Sequence, residues 1–190
     1  ALGTTPGRLA IRWLLDTLTG ADVAREYRVL RIDNLDLLEV LGLPRRVGSY
    51  RYSLGEVLEK EDTLREQGRL AFAKDEEERS LTENRTLQLQ AKLNRVSELM
   101  AAFSSPRISI DPERLQATLQ ATQQQILRLR DSRAPRSVTP TEPAGEWTTL
   151  FEGEYLDLLA QARDADRNPA TAALSGVLDA YARGDAAAFA

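Results

Sequence analysis

From residue 54 to residue 103 the chain runs for 50 residues without proline, and Gly55 and Gly68 are the only glycines. Nothing there forces a helix to stop. The spacing therefore predicts one helix, or two joined near Gly68, on the order of 75 Å long if unbroken at about 1.5 Å per residue. Leu54, Val57, Leu58 and Leu64 give its first turns an apolar side, and Leu89, Leu93, Val96, Met100 and Phe103 resume that side at spacings of four and three. Between them KDEEER, residues 74–79, reads as a solvated segment that projects. Asp111-Pro112-Glu113 then starts another helix, an aspartate cap followed by proline at the first helical position. Leu115, Leu119, Ile126 and Leu129 line its face. Joined by SSPRISID, the two predict an antiparallel hairpin in which Leu89, Leu93 and Val96 meet Leu115 and Leu119.

Ahead of that hairpin the chain is denser in signals. Leu9, Ile11, Trp13, Leu14, Leu15 and Leu18 form a broad apolar stripe, predicting a helix over 7–19 that Gly20 stops. YRVLRI, residues 27–32, is rich in β-formers, and Asp33 and Asn34 precede LDLLEVLGL, which reads as strand, N-cap and helix. Leu35, Leu38 and Leu41 share one side of this helix, Gly42 closes it and Pro44 forbids its continuation. Residues 45–48 make a turn, residues 49–52 read as a second strand able to pair with the first, and Ser53 with Glu56 forms a capping box.

Behind the hairpin, residues 131–146 hold three prolines, a glycine and many small polar residues, the composition of a loop or linker. Residues 147–162 read as a helix after a short lead-in, and Asn168-Pro169 starts another containing Leu174, Val177, Leu178 and Tyr181. Gly184-Asp185 leads into a last turn with Phe189. The expected fold is mainly α: a long antiparallel helical hairpin (54–131), a small α/β base of two short strands (1–53), a Pro-rich linker (132–146), and C-terminal helices packing on the base (147–190). With 42% hydrophobic residues the chain can bury a core, whereas 6% aromatic residues and charges concentrated in the middle point to an elongated shape.

Several function classes fall away on composition. A net charge of −4 and a pI of about 5.1 oppose the basic face that nucleic acid requires, so no nucleic-acid partner is expected. The absence of cysteine removes disulfides, thiolate metal sites and cysteine nucleophiles, and it fits either redox compartment. With no histidine, the usual base of a serine triad and the usual axial haem ligand are both missing. No catalytic, metal or cofactor-binding residues are assigned, and this segment alone is not expected to be an enzyme. No apolar run approaches the roughly 20 residues that cross a bilayer. The chain begins Ala-Leu-Gly rather than with Met and reads as a piece of a longer polypeptide.

Three constellations carry a sharper alternative beside an ordinary one. The carboxylates of Asp75, Glu76, Glu77 and Glu78 could gather a cation, yet neighbouring helical carboxylates point in different directions, and a solvated surface is the reading adopted. Trp13 and Trp147 could stack on a flat ligand; at helical spacing they read as core. Arg45 and Arg46 beside Arg51 could hold a phosphate or a partner carboxylate, or could simply keep a turn soluble. Together with Tyr50 and Tyr52 they form the candidate partner-docking set, because Tyr and Arg are enriched at interface hot spots. The competing reading has both tyrosines packing on the 35–41 helix.

AIRWLLD, then YRVLRIDNLDLLEVLGLPRRVGSYRYSLGEV, then the charged helix, then NPATAALSGVLDAYARGDAAAF together resemble the extracytoplasmic region of large cytochrome c biogenesis proteins of the ResB/CcsA (System II) haem-lyase type, in versions from planctomycete-like bacteria. The resemblance covers most of the chain in order, and none of its phrases is a catalytic motif. It implies a place on the periplasmic or extracytoplasmic face of the inner membrane, attached to it through segments outside this chain. It also implies a machine that joins haem to an apocytochrome. That family's haem site is a tryptophan-rich membrane segment with histidine ligands, neither of which occurs here, so no haem ligand carries over and haem belongs to the full-length protein. The implied role is accessory: docking apocytochrome c or another biogenesis subunit. The alternative is a free-standing helical adaptor or assembly scaffold.

Overall fold

A computed structural model describes residues 6–185 and residue 187, so the expected last turn with Phe189 lies outside the described residues. In chain order the elements are α1 (Pro6–Leu18), β1 (Leu30–Arg31), α2 (Leu35–Val40), β2 (Arg51–Tyr52), α3 (Leu54–Leu58), α4 (Glu61–Phe72), α5 (Leu81–Phe103), α6 (Pro112–Asp131), α7 (Leu150–Gln161) and α8 (Pro169–Arg183), with 3-10 turns at Asp22–Arg25 and Glu76–Glu78. The fold is mainly α with one small sheet, as expected. Its contacts divide it into two units, residues 22–94 and residues 1–21 with 95–190, the division falling inside α5. This grouping differs from the expected 1–53 base, since α1 belongs with the C-terminal helices.

In the unit of residues 22–94, β1 and β2 pair antiparallel with Leu30 opposite Tyr52 and Arg31 opposite Arg51. The Ile32 N–H extends the ladder to the Tyr50 carbonyl at 2.9 Å. Asn34 caps α2, its side chain accepting from the Leu37 N–H at 2.7 Å. Gly42, at φ +63, ends that helix. There its N–H bonds to the Glu39 carbonyl and the Leu43 N–H reaches back to Leu38, satisfying the last carbonyls. The face that α2 buries is Leu37, Leu38 and Leu41, not Leu35, which is 41% exposed. At about 100° per residue Leu35 lies roughly 200° around the helix from Leu37, off the buried side. Ala24, Leu30, Ile32, Leu43, Tyr52, Leu54, Val57, Leu64, Ala71, Leu89 and Leu93 are the other buried apolar residues of this unit.

The expected continuous helix does not form. Residues 54–103 divide into α3, α4, a 3-10 turn and α5. The break falls at the charged segment rather than at Gly68, which lies inside α4. Three side chains make the break. Arg79 donates to the carbonyls of Ala71 (3.0 Å) and Lys74 (2.8 and 3.1 Å), satisfying the end of α4. Ser80 and Glu83 form a second capping box, the Ser80 N–H donating to Glu83 at 2.8 Å and the Glu83 N–H to the Ser80 hydroxyl at 3.2 Å. Lys74 closes the turn on Glu83 at 2.6 Å. The chain then folds back, and the Gln90 amide donates to the Leu64 carbonyl at 3.0 Å. Gly68 permits that approach: a Cβ there would lie 2.0 Å from the Gln90 amide oxygen. The partner that Gln90 of α5 meets within this unit is therefore α4.

In the other unit, α1 ties to α8 through the Tyr181 hydroxyl, which donates to Asp16 at 2.7 Å. Ala102, Ile126, Leu129, Ala134, Phe151 and Tyr155 form one core cluster, with Leu119 and Phe103 packed on it. Leu115, expected on the same face, is 39% exposed. The 132–146 loop is tied down near its middle, at Val138. Val138 and Thr148 exchange two backbone hydrogen bonds of 3.0 Å, and Val138 is buried with Leu150 and Leu178. Trp147, expected in the core, is 53% exposed, because it precedes the Thr149 cap of α7 and the inward positions are Leu150 and Phe151. Trp13 is half-buried. Glu152 is buried and takes a 3.0 Å bond from the Arg130 Nε. Gly153 permits a close approach of α7 and α8, since a Cβ there would lie 2.8 Å from the Thr171 hydroxyl and 3.4 Å from Val138. Thr171 is β-branched and stiff. Gly153→Val is accordingly expected to lower unfolding stability by about 1–3 kcal/mol in denaturant titrations, and an unchanged midpoint would show that the two helices part without cost.

Candidate partner-docking site

The five candidate residues lie on the turn and strand between α2 and α3. Pro44 ends the α2 region, residues 47–49 turn, and Gly48 at φ +92 supplies the left-handed residue that the reversal needs. Tyr50 is also left-handed, at φ +47. A tyrosine reaches that region only where its surroundings over-determine it. Here its N–H bonds to the Arg46 carbonyl at 3.4 Å while its carbonyl takes the Ile32 N–H. The expected strand over 49–52 is thus shortened to Arg51–Tyr52.

Arg46 is an internal tie. Its guanidinium forms a two-pronged pair with Glu56, one prong at 3.0 Å, donates to the Arg51 carbonyl at 2.8 Å, and sits 4.8 Å from the centre of the Tyr52 ring. Tyr52 is fully buried and its hydroxyl donates to the Pro44 carbonyl at 2.6 Å. Glu56 also accepts from the Ser53 N–H at 2.8 Å, so one carboxylate caps α3 and holds the turn. These contacts hold the Glu56 carboxyl well below its usual 4.5, at about 2: the bond from Arg46 contributes most, Ser53 adds to it, and desolvation opposes it. The sequence marks Glu56 only as a capping residue. Its second partner lies ten positions back across a turn, a pairing that no local spacing announces.

Arg45 and Arg51 are exposed, and Val47 at the tip of the turn is 99% exposed. Tyr50 is half-buried. The candidate set therefore separates: Arg46 and Tyr52 build the base, whereas Arg45, Val47 and Arg51 form its outer edge, with Tyr50 between. Among the described residues no group of three or more His, Cys, Asp or Glu side chains could hold a metal ion. Met100 is half-buried in α5, Tyr52 and Tyr181 are committed to Pro44 and Asp16, and the Tyr155 hydroxyl is met by Gln123 at 3.5 Å. No described helix is long and apolar enough to cross a membrane.

Comparison of the chain with protein-family models, with curated proteins and with solved structures gives no match in any of the three.

Because the folded-state value of Glu56 is depressed, the stability it contributes is fully present above pH 4.5 and is lost as pH falls toward about 2. Glu83, lowered to about 2 by Lys74 first and Ser80 second, adds to the same window. Glu56→Gln is expected to reduce stability near neutral pH by about 1–3 kcal/mol and to flatten the decline between those pH values. A variant whose pH profile parallels the parent would show that the pair is solvated. Titration of the chain with haem is expected to give no saturable Soret shift; a stoichiometric shift abolished by Met100→Ala would reverse that assignment.

Proposed function

We propose that this chain is an accessory extracytoplasmic domain of a membrane-bound cytochrome c biogenesis protein of the ResB/CcsA type, acting in docking of apocytochrome c or a partner subunit rather than in catalysis. The family assignment is supported by the ordered resemblance of its phrases. The observation that carries docking is the separation of the candidate residues: Arg46, Tyr52 and Glu56 are consumed in holding the turn, and what the held turn offers is Val47 at 99% exposure with Arg45 and Arg51 beside it. The held backbone presents this apolar tip and the exposed cations on one preorganised turn, which spares part of the ordering cost of binding. The absence of histidine and cysteine from the whole chain supports the non-catalytic role. Hydrophobic spans and a tryptophan-rich segment encoded on either side of this region would separate this reading from a free-standing adaptor.

In the full-length protein, Arg45→Ala/Val47→Ser/Arg51→Ala is expected to lower the yield of matured cytochrome c while leaving stability within about 0.5 kcal/mol, as exposed substitutions do. Tyr52→Ala should instead cost about 3–5 kcal/mol. Unchanged cytochrome yield in the triple variant would remove this edge from the docking surface.

A further inference from the structure

The sign of the charge on α5 differs from that on its neighbour. In α4, Arg65 pairs with Glu61 at 2.6 Å and Arg69 with Glu66 at 2.7 Å, the usual intrahelical neutralisation. Residues 84–94 of α5 contain Arg85 and Lys92 and no carboxylate at all. Both side chains are exposed and stand seven apart, two turns along one face. They line a cleft of about 130 Å³ together with Arg31 of β1, and three cations there face the single carboxylate of Asp33, which meets Arg31 at 3.4 Å. Lys92 has no ion-pair partner among the described residues. The floor is apolar, formed by the buried Leu37 and Leu89. In a chain of net charge −4, this is a concave basic site whose cations outnumber its carboxylate by two.

We propose that the cleft docks an acidic segment of a partner polypeptide, an Asp or Glu side chain entering between Arg31, Arg85 and Lys92. The size suits it. A single water needs roughly 10–15 Å³ of such volume, so the space admits a carboxylate side chain. Lys92 offers an ammonium, and the guanidinium groups of Arg85, which donates to Gln88 at 2.9 Å, and Arg31, beside Asp33, retain further N–H groups for its oxygens, over a floor of low polarity that strengthens each contact. Charge complementarity selects the occupant, because an acidic segment supplies the carboxylates that residues 84–94 of α5 lack. The site stands independently of the cytochrome assignment.

The test uses the whole chain and two fluorescein-labelled probes, a hexaglutamate peptide and a hexaglutamine peptide, followed by fluorescence anisotropy at low salt. The acidic peptide should bind saturably and the neutral one should not. Arg85→Glu/Lys92→Glu should weaken binding at least about tenfold, the scale of one lost close charge pair, with an unchanged melting temperature. Arg95→Glu, which does not line the cleft, should leave binding as it was. Absence of binding by hexaglutamate, or equal weakening by the Arg95 and cleft variants, would overturn the proposal. Full displacement of the peptide by inorganic phosphate at equal concentration would also overturn it, in favour of a small-anion site.

Discussion

The guanidinium of Arg46 is the group on which the unit of residues 22–94 is organised. It joins three things that the backbone alone would leave independent: the Arg51 carbonyl, the Tyr52 ring and the Glu56 carboxylate. Through Glu56 it reaches the start of α3, and through Tyr52 and its bond to Pro44 it reaches the exit of α2. Lysine could not take its place, since an ammonium lacks the planar fork that grips both carboxylate oxygens while lying over a ring. With the turn held this way, Tyr50 stays in a left-handed conformation it would otherwise leave.

The second constraint is the reversal between α4 and α5, and it shows where local signals compete. Ser80 and Glu83 have the spacing of a capping box, the same pattern that identified the start of α3 at Ser53 and Glu56. In the sequence the second box is overshadowed, because KDEEER is also good exposed helix and no proline or glycine interrupts it. What decides is long-range packing. Folding back buries Leu64, Ala71 and Leu89, whereas a straight helix would leave them wet. Gly68 was legible as a weak point, but its role is the opposite of a hinge: it lets Gln90 lie against α4.

Caps were the most legible features. Asn34, Ser53, Asp111 and Asn168 each accept the backbone N–H their positions announced, because capping is a contact over two or three residues. The α1 and α6 spans and the pairing of the two strands were legible for similar reasons. Burial was less so. Leu35 and Trp147 are apolar yet exposed, and Glu152 is charged yet buried beside Arg130. Composition does not distinguish a tyrosine and arginine that meet a partner from a pair that meet each other, since the chemistry of the contact is the same. Nor does it assign a partner to Glu56 across a turn.

Strand parity is what divides the candidate set, and it also links the two surfaces. Opposite residues in the β1–β2 ladder share a face, so Leu30 and Tyr52 go inward together and Arg31 and Arg51 go outward together. Two arginines directly opposite each other repel, a cost on the order of 0.2–1 kcal/mol. A sheet free to optimise stability would place a carboxylate at one of them. Asp33 relieves Arg31 from the side, and Arg51 has no carboxylate partner among the described residues. Arg51 thus belongs to the edge beside Val47, Arg31 to the cleft with Arg85 and Lys92, and the ladder sets them side by side. Arg51, Arg85 and Lys92 have no carboxylate partner among the described residues although the chain has 29 acidic residues, so a carboxylate brought from outside would relieve charge that the fold leaves in place.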